Sequence, residues 1–153
     1  HLPVFLSFYE AHIADASRPF PGVVAAMDRL EAVGWRLAVC TNKSEHLARR
    51  LLEELGLAPR FSAICGADTF PAMKPDPRHL GGTIERAAGA TDKTIMIGDT
   101  LTDIAAARAL PVPSILVDFG YAPDEAARAG ASRVIAHYDE LTSDFAAELI
   151  ETR

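Results

Sequence analysis

Short apolar runs alternate along this chain with longer segments whose apolar residues recur at helical spacing. The apolar runs predict strands over residues 36–41, 62–65, 94–98, 114–118 and 133–136. The helical spacing predicts helices over residues 4–15, 21–33, 44–55, 77–88, 100–110, 123–129 and 139–151. Regular alternation of this kind is typical of an α/β fold, in which a Rossmann-like parallel sheet carries helices on both faces.

Turn and cap residues mark the limits of several predicted helices. Ser44 is a preferred N-cap residue, and Gly34 and Gly56 follow helical segments where glycine commonly ends a helix. Residues 71–77 contain three prolines, which lack a backbone N–H and restrain the preceding residues, so no regular structure is expected there. Because ligands of parallel sheets bind beyond the carboxyl ends of the strands, functional residues are expected directly after each strand.

Length and charge narrow the classes of function. The chain of 153 residues is long enough for one domain with its own core. Its formal net charge of −6 argues against a protein that binds the nucleic-acid backbone, but a few local groups could still hold a small phosphate. No apolar run approaches the roughly 20 residues that cross a bilayer, so we expect no membrane partner. The two cysteines lie in strand-like runs, which favours a reducing, cytoplasmic location.

The hexapeptide Gly-Asp-Thr-Leu-Thr-Asp at 98–103 follows the clearest of the predicted strands. Asp99 would end that strand and Asp103 would lie in the first turn of the next helix, so both carboxylates can face one crevice. Two carboxylates at the edge of a parallel sheet suit Mg²⁺, which completes its shell with water and phosphate oxygens. The pattern is equally that of a capping box between Thr100 and Asp103, in which Asp103 only caps its helix. The hexapeptide alone leaves both interpretations open.

Two other groups could bind a phosphoryl oxygen. The hydroxyl of Thr41 and the backbone N–H of Asn42 follow a strand and precede a helix, although both residue types are also common in turns and caps. Lys74 lies in the sequence Lys-Pro-Asp-Pro, whose prolines restrain the backbone around a point charge that could meet an anion. For a lone lysine, a solvated position in a loop is the alternative.

The order of these three segments resembles that of the haloacid dehalogenase-like phosphatases. Thr-Asn after one strand, Lys-Pro-Asp-Pro in a loop and Gly-Asp-Thr-Leu-Thr-Asp after a later strand are similar to the second, third and fourth motifs of that superfamily. The resemblance extends over residues 18–136. Three longer sequence segments resemble sequences of its phosphoglycolate phosphatase branch. They are Arg-Pro-Phe-Pro-Gly-Val at 18–23, Trp-Arg-Leu-Ala-Val-Cys-Thr-Asn-Lys at 35–43 and Asp-Phe-Gly-Tyr at 118–121.

The resemblance implies a Mg²⁺-dependent phosphomonoester hydrolase that acts through an aspartyl-phosphate on a small phosphorylated metabolite, such as 2-phosphoglycolate. Thr41 and Asn42 would bind the phosphoryl group, and Lys74 would bind it and stabilise charge on it and on the nucleophile. Asp99 and Asp103 would hold the Mg²⁺ or orient its water. The implied catalytic residues are therefore Thr41, Lys74, Asp99 and Asp103. The resemblance does not determine the oligomeric state, so an oligomer is possible.

The first motif of the superfamily, Asp-x-Asp-Gly-Thr, supplies the nucleophile and is missing here. None of the 11 Asp residues is followed two positions later by another Asp. We therefore expect residues 1–17 to be the remnant of a helical cap and its hinge, and residues 18–153 to be an α/β core that lacks its first, central strand. The chain alone is expected to be inactive. The alternative is a non-catalytic remnant that binds phosphate, Mg²⁺ or a protein partner.

Overall fold

The computed structural model describes residues 18–119 and 124–151 in full, and residues 5–8 and 14–15 by their backbone. The strands are β1 (Phe5–Phe8), β2 (Ala14–Asp15), β3 (Arg18–Pro19), β4 (Arg36–Cys40), β5 (Phe61–Cys65), β6 (Ile95–Gly98), β7 (Ser114–Val117) and β8 (Arg133–Ile135). The helices are α1 (Val23–Ala32), α2 (Glu45–Glu54), α3 (Pro77–Arg86), α4 (Leu101–Ala109), α5 (Glu125–Gly130) and α6 (Ser143–Glu151). Among the described helices, none has the length and apolar character needed to cross a membrane.

Six of the strands form one parallel sheet in the order β5-β4-β1-β6-β7-β8, and β2 and β3 form a separate antiparallel pair. Within β4, Leu37 and Val39 pack on one face of the sheet, and Ala38 and Cys40 pack on the other. Helices α1, α2 and α6 cover the first face, and α3 and α4 cover the second. Both faces of the sheet are therefore buried, and the predicted α/β class with helices on both faces is confirmed.

The residues that the sequence predicts to begin or end helices do so in the structure at the N-terminus of α2 and at the C-termini of α1 and α2. The Ser44 hydroxyl accepts a hydrogen bond from the Leu47 N–H at 3.3 Å, and Gly34 and Gly56 adopt φ values of 94° and 73° beyond α1 and α2. Between residues 21 and 136 the predicted strands and helices are confirmed to within a few residues, as far as the structure describes them. The predicted helix over 139–151 differs, because the Thr142 hydroxyl accepts from the Phe145 N–H and begins a new helix, α6, after a 3₁₀ turn. The predicted start of α5, residue 123, lies outside the described residues.

The N-terminal segment differs from its prediction. Phe5–Phe8 is a strand, not a helix, and lies between β4 and β6, with Leu6 opposite both Leu37 and Ile95. The expectation of a core without its central strand is therefore wrong, because the chain itself occupies that position. A short apolar run fits a strand as well as a helix, and pairing satisfies backbone groups that β4 and β6 would otherwise leave unpaired.

The same correction applies to the expected division of the chain at residue 17. Residues 5–8 pair within the core sheet, and Ala14–Asp15 pairs with Arg18–Pro19, so neither described piece of the predicted helix over 4–15 is helical. Residues 4 and 9–13 of that predicted helix, and residues 16–17 of the expected hinge, lie outside the described residues. For them the assignment to a cap remnant and hinge stays a prediction.

Candidate active site

Lys74 is buried at the carboxyl edge of the sheet, although it belongs to an irregular segment, residues 66–76, here called the lysine loop. It is the only buried residue between residues 71 and 78. Its Nζ donates to the Cys40 carbonyl oxygen at 2.7 Å and to Oδ1 of Asp103 at 2.5 Å. The two side chains of this ion pair are 1% and 2% exposed. The alternative of a solvated loop lysine is therefore wrong, and the pairing offsets the desolvation that burial costs.

Asp103 joins the start of α4 to this ion pair. Its Oδ2 accepts hydrogen bonds from the backbone N–H groups of Asp99 (3.2 Å) and Thr100 (3.3 Å) and from the Thr100 hydroxyl (3.1 Å). The capping box of the sequence is thus present. Gly98 permits this arrangement, because a Cβ at that position would lie 2.3 Å from the Cβ of Asp103. This role of Gly98 is not among the sequence predictions, although a glycine in a strand often marks a close backbone approach.

Thr41 and Asn42 form the turn after β4. The Thr41 N–H donates to the Cys65 carbonyl oxygen at 3.0 Å, and the Thr41 hydroxyl oxygen accepts from the Lys43 N–H at 3.0 Å. The Asn42 side chain makes two hydrogen bonds to the backbone of Lys74: its Nδ2 donates to the carbonyl oxygen at 2.9 Å, and its Oδ1 accepts from the N–H at 3.0 Å. The sequence predicts a role only for the backbone of Asn42, and the contact of its side chain with the lysine loop is a finding of the structure.

The first part of the lysine loop is anchored on the start of α2. A Cβ on Gly66 would lie 2.2 to 2.6 Å from backbone atoms of residues 43–45, so only glycine fits there without a backbone shift. The Thr69 hydroxyl donates to Oε1 of Glu45 at 2.7 Å, and the Glu45 N–H donates to Oδ1 of Asp68 at 2.9 Å. The hydrogen bond from Thr69 holds the pKa of the Glu45 carboxyl below its ordinary value, which favours the ionised, hydrogen-bonded form.

Phe70 anchors the same loop on α3. Its ring lies against Gly82, where a Cβ would come within 2.7 Å of the ring carbons, and the Arg86 guanidinium lies 5.0 Å from the ring centroid. His79 meets the ring edge-on at 5.8 Å between centroids. His79 is fully buried, and among the described residues its ring nitrogens make no hydrogen bond of good geometry, although the Gly66 backbone is near enough to act on its pKa. Burial and the nearby Lys74 ammonium lower the pKa of His79, so the imidazole is neutral near pH 7.

A crevice of about 210 Å³, here called the Lys74 crevice, opens at this edge of the sheet. It is lined by Asn42, Lys74, Thr100, Thr102 and Asp103. Three of the site residues predicted from the sequence therefore meet there, whereas Thr41 and Asp99 directly follow β4 and β6 beside it without lining it. Thr100 and Thr102 are additional lining residues. A larger cavity of about 360 Å³ lies near the opposite edge, beside the start of β7 and β8, and contains none of these residues.

Asp99 and Asp103 fit a hard cation by the chemistry of their donor atoms. Both carboxylates are buried, and Asp103 is hydrogen-bonded to the backbone of Asp99. Mg²⁺ needs only one or two protein carboxylates, and across the described residues no three Asp, Glu, His or Cys side chains gather as a fuller metal site would require. Burial raises the pKa of the Cys40 thiol, which favours the neutral thiol over a thiolate ligand or nucleophile.

Comparison with known proteins identifies relatives over most of the chain. A family model described as haloacid dehalogenase-like hydrolase matches residues 2–110. The chain is 46% identical over 149 residues to a phosphoglycolate phosphatase of Mesorhizobium japonicum, and the aligned region covers 97% of this chain and 66% of the relative. It is 52% identical over 117 residues to a phosphoglycolate phosphatase of Agrobacterium fabrum, and the aligned region covers 76% of this chain and 50% of that relative. The chain thus spans half to about two thirds of the length of these relatives.

Solved structures share the architecture. A β-phosphoglucomutase from Clostridium difficile superimposes with a TM-score of 0.75 at 18% identity, covering 88% of this chain and 57% of that one. At this identity the similarity shows the fold alone, an α/β fold with parallel strands. The family model covers well over half of the chain, and the ordered motifs of the sequence lie within it. The resemblance found in the sequence is confirmed: the chain belongs to the haloacid dehalogenase-like hydrolases.

Proposed function

We propose that this chain forms the phosphoryl-binding core of a Mg²⁺-dependent phosphomonoester hydrolase of the phosphoglycolate phosphatase type. The observation that carries the proposal is the buried Lys74 ammonium, held against Asp103 at the carboxyl edge of the sheet beside an open crevice. Apolar residues of similar volume often replace a buried ion pair without loss of stability, so stability alone is a weak reason to retain this one. The similarity to curated phosphoglycolate phosphatases supports the proposal.

Lys74 would stabilise the negative charge of the phosphoryl oxygens. Catalysis of phosphoryl transfer rests on positioning and on electrostatic stabilisation of spread-out charge, so a cation that is already in place is effective. The Cys40 carbonyl oxygen and the Asp103 carboxylate hold the ammonium at the edge of the crevice before any ligand enters. Little reorganisation of Lys74 is then needed when a phosphate enters the Lys74 crevice.

Thr41 and Asn42 would supply hydrogen bonds to the same phosphoryl group. The Lys43 N–H uses one lone pair of the Thr41 hydroxyl, which leaves the hydroxyl proton to donate to an anionic oxygen. The Asn42 backbone N–H lies at the start of the turn after β4. Backbone N–H groups at the end of a parallel strand and before a helix are well placed to bind an anion. These two donors and the lysine would bind different oxygens of one phosphate.

Asp99 and Asp103 would hold the Mg²⁺ ion. Both carboxylates are buried, and hydrogen bonds from Lys74 and from the backbone at the start of α4 orient the carboxylate of Asp103. When bound, Mg²⁺ would polarise the phosphoryl group and neutralise part of its charge. Asp103 therefore has two roles in the proposal, one as partner of the lysine and one beside the metal.

The nucleophile of the proposed aspartyl-phosphate pathway is absent from this chain, because no Asp-x-Asp sequence occurs in it. We therefore expect the 153-residue chain to bind phosphate but not to hydrolyse phosphate esters. The names of the relatives favour a small phosphorylated metabolite, 2-phosphoglycolate or a close analogue, as the substrate. The Lys74 crevice of about 210 Å³ has room for such a small group.

Calorimetric titration with inorganic phosphate in the presence of Mg²⁺ tests the proposal on the chain itself. Lys74→Gln removes the charge while its amide can still donate to Asp103, and Lys93→Gln makes the same change at the half-buried residue that precedes β6 at the other edge of the sheet. Losing a charged hydrogen bond of about 1.5–3 kcal/mol should weaken phosphate binding about 10- to 100-fold in Lys74→Gln only.

Two outcomes would contradict the proposal. The first is a wild-type chain that binds no phosphate at millimolar concentrations with Mg²⁺, and the second is an equal effect of the two substitutions. The same samples, incubated with 2-phosphoglycolate and Mg²⁺, should release no phosphate. Turnover by this chain would show that a group other than an Asp-x-Asp aspartate performs the attack.

A further inference from the structure

The Asn42 side chain connects the turn after β4 to the lysine loop. Both polar atoms of its amide are engaged by one residue that lies 32 positions later: Nδ2 donates to the Lys74 carbonyl oxygen and Oδ1 accepts from the Lys74 N–H. The residue held in this way is the one whose ammonium meets Asp103. An amide that both donates and accepts across two loops fixes their separation and their relative orientation.

Among the described residues, the other contacts by which the first part and the end of the lysine loop are held lie away from Lys74. Thr69 and Phe70 hold its first part on α2 and α3, and the Asp76 carboxylate caps α3 at its end by accepting from the Arg78 N–H at 2.9 Å. Between these anchors, residues 71–73 are exposed or half-buried. The Asn42 amide therefore holds the loop at the point where its side chain turns into the edge of the sheet.

The lysine ammonium is joined to the backbone by a flexible four-carbon chain, so its position depends on contacts at both the Nζ atom and the backbone. The Cys40 carbonyl oxygen and Asp103 bind the Nζ end, and Asn42 binds the backbone end. Without the backbone contact, the lysine loop between Phe70 and α3 could shift and the ammonium could leave its acceptors. A misplacement of about 1 Å at a reacting centre can cost on the order of 10²-fold in rate, so such a shift would matter for phosphoryl transfer.

We infer that Asn42 is a positioning residue for Lys74: its side-chain amide holds the lysine backbone so that the ammonium meets Asp103 at the edge of the Lys74 crevice. The side chain of Asn42 is then not a ligand of the phosphoryl group, and only its backbone N–H retains that part. The consequence for hydrolysis rests on the proposed function, whereas the positioning of the ammonium does not.

Nitrogen-15 NMR of the lysine ammonium groups tests the inference without phosphate or Mg²⁺ in the sample. The chain has three lysines, Lys43, Lys74 and Lys93. A buried ammonium that is hydrogen-bonded, as that of Lys74 is to two acceptors among the described residues, exchanges its protons slowly and gives a visible cross-peak near pH 6, whereas exposed ammonium groups exchange too fast to be seen. The wild-type chain should show the Lys74 cross-peak, which is assigned by its loss in Lys74→Gln.

Two variants separate positioning from general loosening of the loop. Asn42→Ala removes both hydrogen bonds to Lys74, and Thr69→Val removes two hydrogen bonds of the same loop, to the Gly66 N–H and to Glu45, without touching Lys74. We expect the Lys74 cross-peak to disappear in Asn42→Ala and to persist in Thr69→Val.

The inference is overturned if the cross-peak behaves alike in the two variants, whether it persists in both or is lost from both. If Asn42→Ala does not fold, Asn42→Asp decides: it keeps the shape and the acceptor, replaces the donor to the Lys74 carbonyl oxygen by a carboxylate oxygen and adds a negative charge. Its Lys74 cross-peak must broaden or disappear through faster proton exchange, because a shift alone would report the added charge, and an unchanged exchange rate overturns the inference. A chain that binds no phosphate but shows this dependence on Asn42 would contradict the proposed function and support the positioning.

Discussion

His79 should make the stability of this fold depend on pH. The imidazole is fully buried, and its pKa is lowered first by burial and then by the Lys74 ammonium. In the unfolded chain the group regains its ordinary pKa of 6.5. Below that pH the unfolded chain therefore binds a proton that the folded chain does not, and the free energy of unfolding falls as the pH falls. Above pH 7.5 this contribution is constant.

The size of the effect has an upper limit set by one proton. Proton linkage allows at most about 1.4 kcal/mol of lost stability between pH 7.5 and 5.5 when the folded state remains unprotonated through that window. A protonated ring would also place a second positive charge beside Lys74, an effect that the nearby Gly66 backbone opposes only in part. The contribution of His79 to the loss should therefore have this sign and stay within the limit.

Urea unfolding followed by circular dichroism at pH 7.5, 6.5 and 5.5 measures this dependence. His79→Phe keeps an aromatic ring against Phe70 and removes the titrating group, so the unfolding free energy of this variant should fall less than that of wild type between pH 7.5 and 5.5, by at most about 1.4 kcal/mol. His46→Phe, which removes an exposed imidazole from α2, is the control for the loss of one histidine. Equal slopes for wild type and His79→Phe would refute the role of the buried imidazole, whatever the absolute stability of the variant.

Two glycine substitutions test the close approaches that build the site. Gly98→Ala should cost about 1–3 kcal/mol of unfolding free energy at pH 7.5, because the new Cβ overlaps Asp103, and a cost below 0.5 kcal/mol would contradict the geometry. Gly82→Ala and Gly81→Ala form a matched pair in α3: the first Cβ meets the Phe70 ring at 2.7 Å, whereas the second has its nearest neighbour at 3.8 Å. Gly81→Ala should therefore stabilise the fold by about 0.5–1 kcal/mol through helix propensity and Gly82→Ala should destabilise it, and the same sign for both would contradict the packing of Phe70.

The order of strands and helices from residue 21 onward follows from local pattern alone. Ser44 caps α2, and glycine ends α1 and α2, because these residues act through backbone conformations and hydrogen bonds within a few positions of themselves. The direction of parallel strands then brings the residues after β4 and β6 to the same edge, wherever the rest of the chain lies. For these reasons the fold class and the neighbourhood of Thr41, Asn42 and Asp99 could be predicted from the sequence.

The N-terminal strand could not be predicted in this way. Phe5–Phe8 has only four residues, three of them apolar, and such a run is compatible with either a helix or a strand. Its structure is decided by the open position between β4 and β6, which offers backbone partners on both sides. That position is formed by two strands that are distant from residues 5–8 in the sequence, so no local pattern contains it.

The connections within the site were also decided by tertiary structure. The capping and metal interpretations of Asp103 both follow from a spacing of three or four residues, but its partner Lys74 lies 29 positions away. The hydrogen bonds of Asn42 to the lysine backbone span 32 positions. Sequence spacing predicts contacts along one helix or strand, whereas these contacts depend on where two irregular loops cross the edge of the sheet. The sequence alone therefore determined which groups lie at that edge, and only the packing of the lysine loop against α2, α3 and Asn42 decided which of them bind each other.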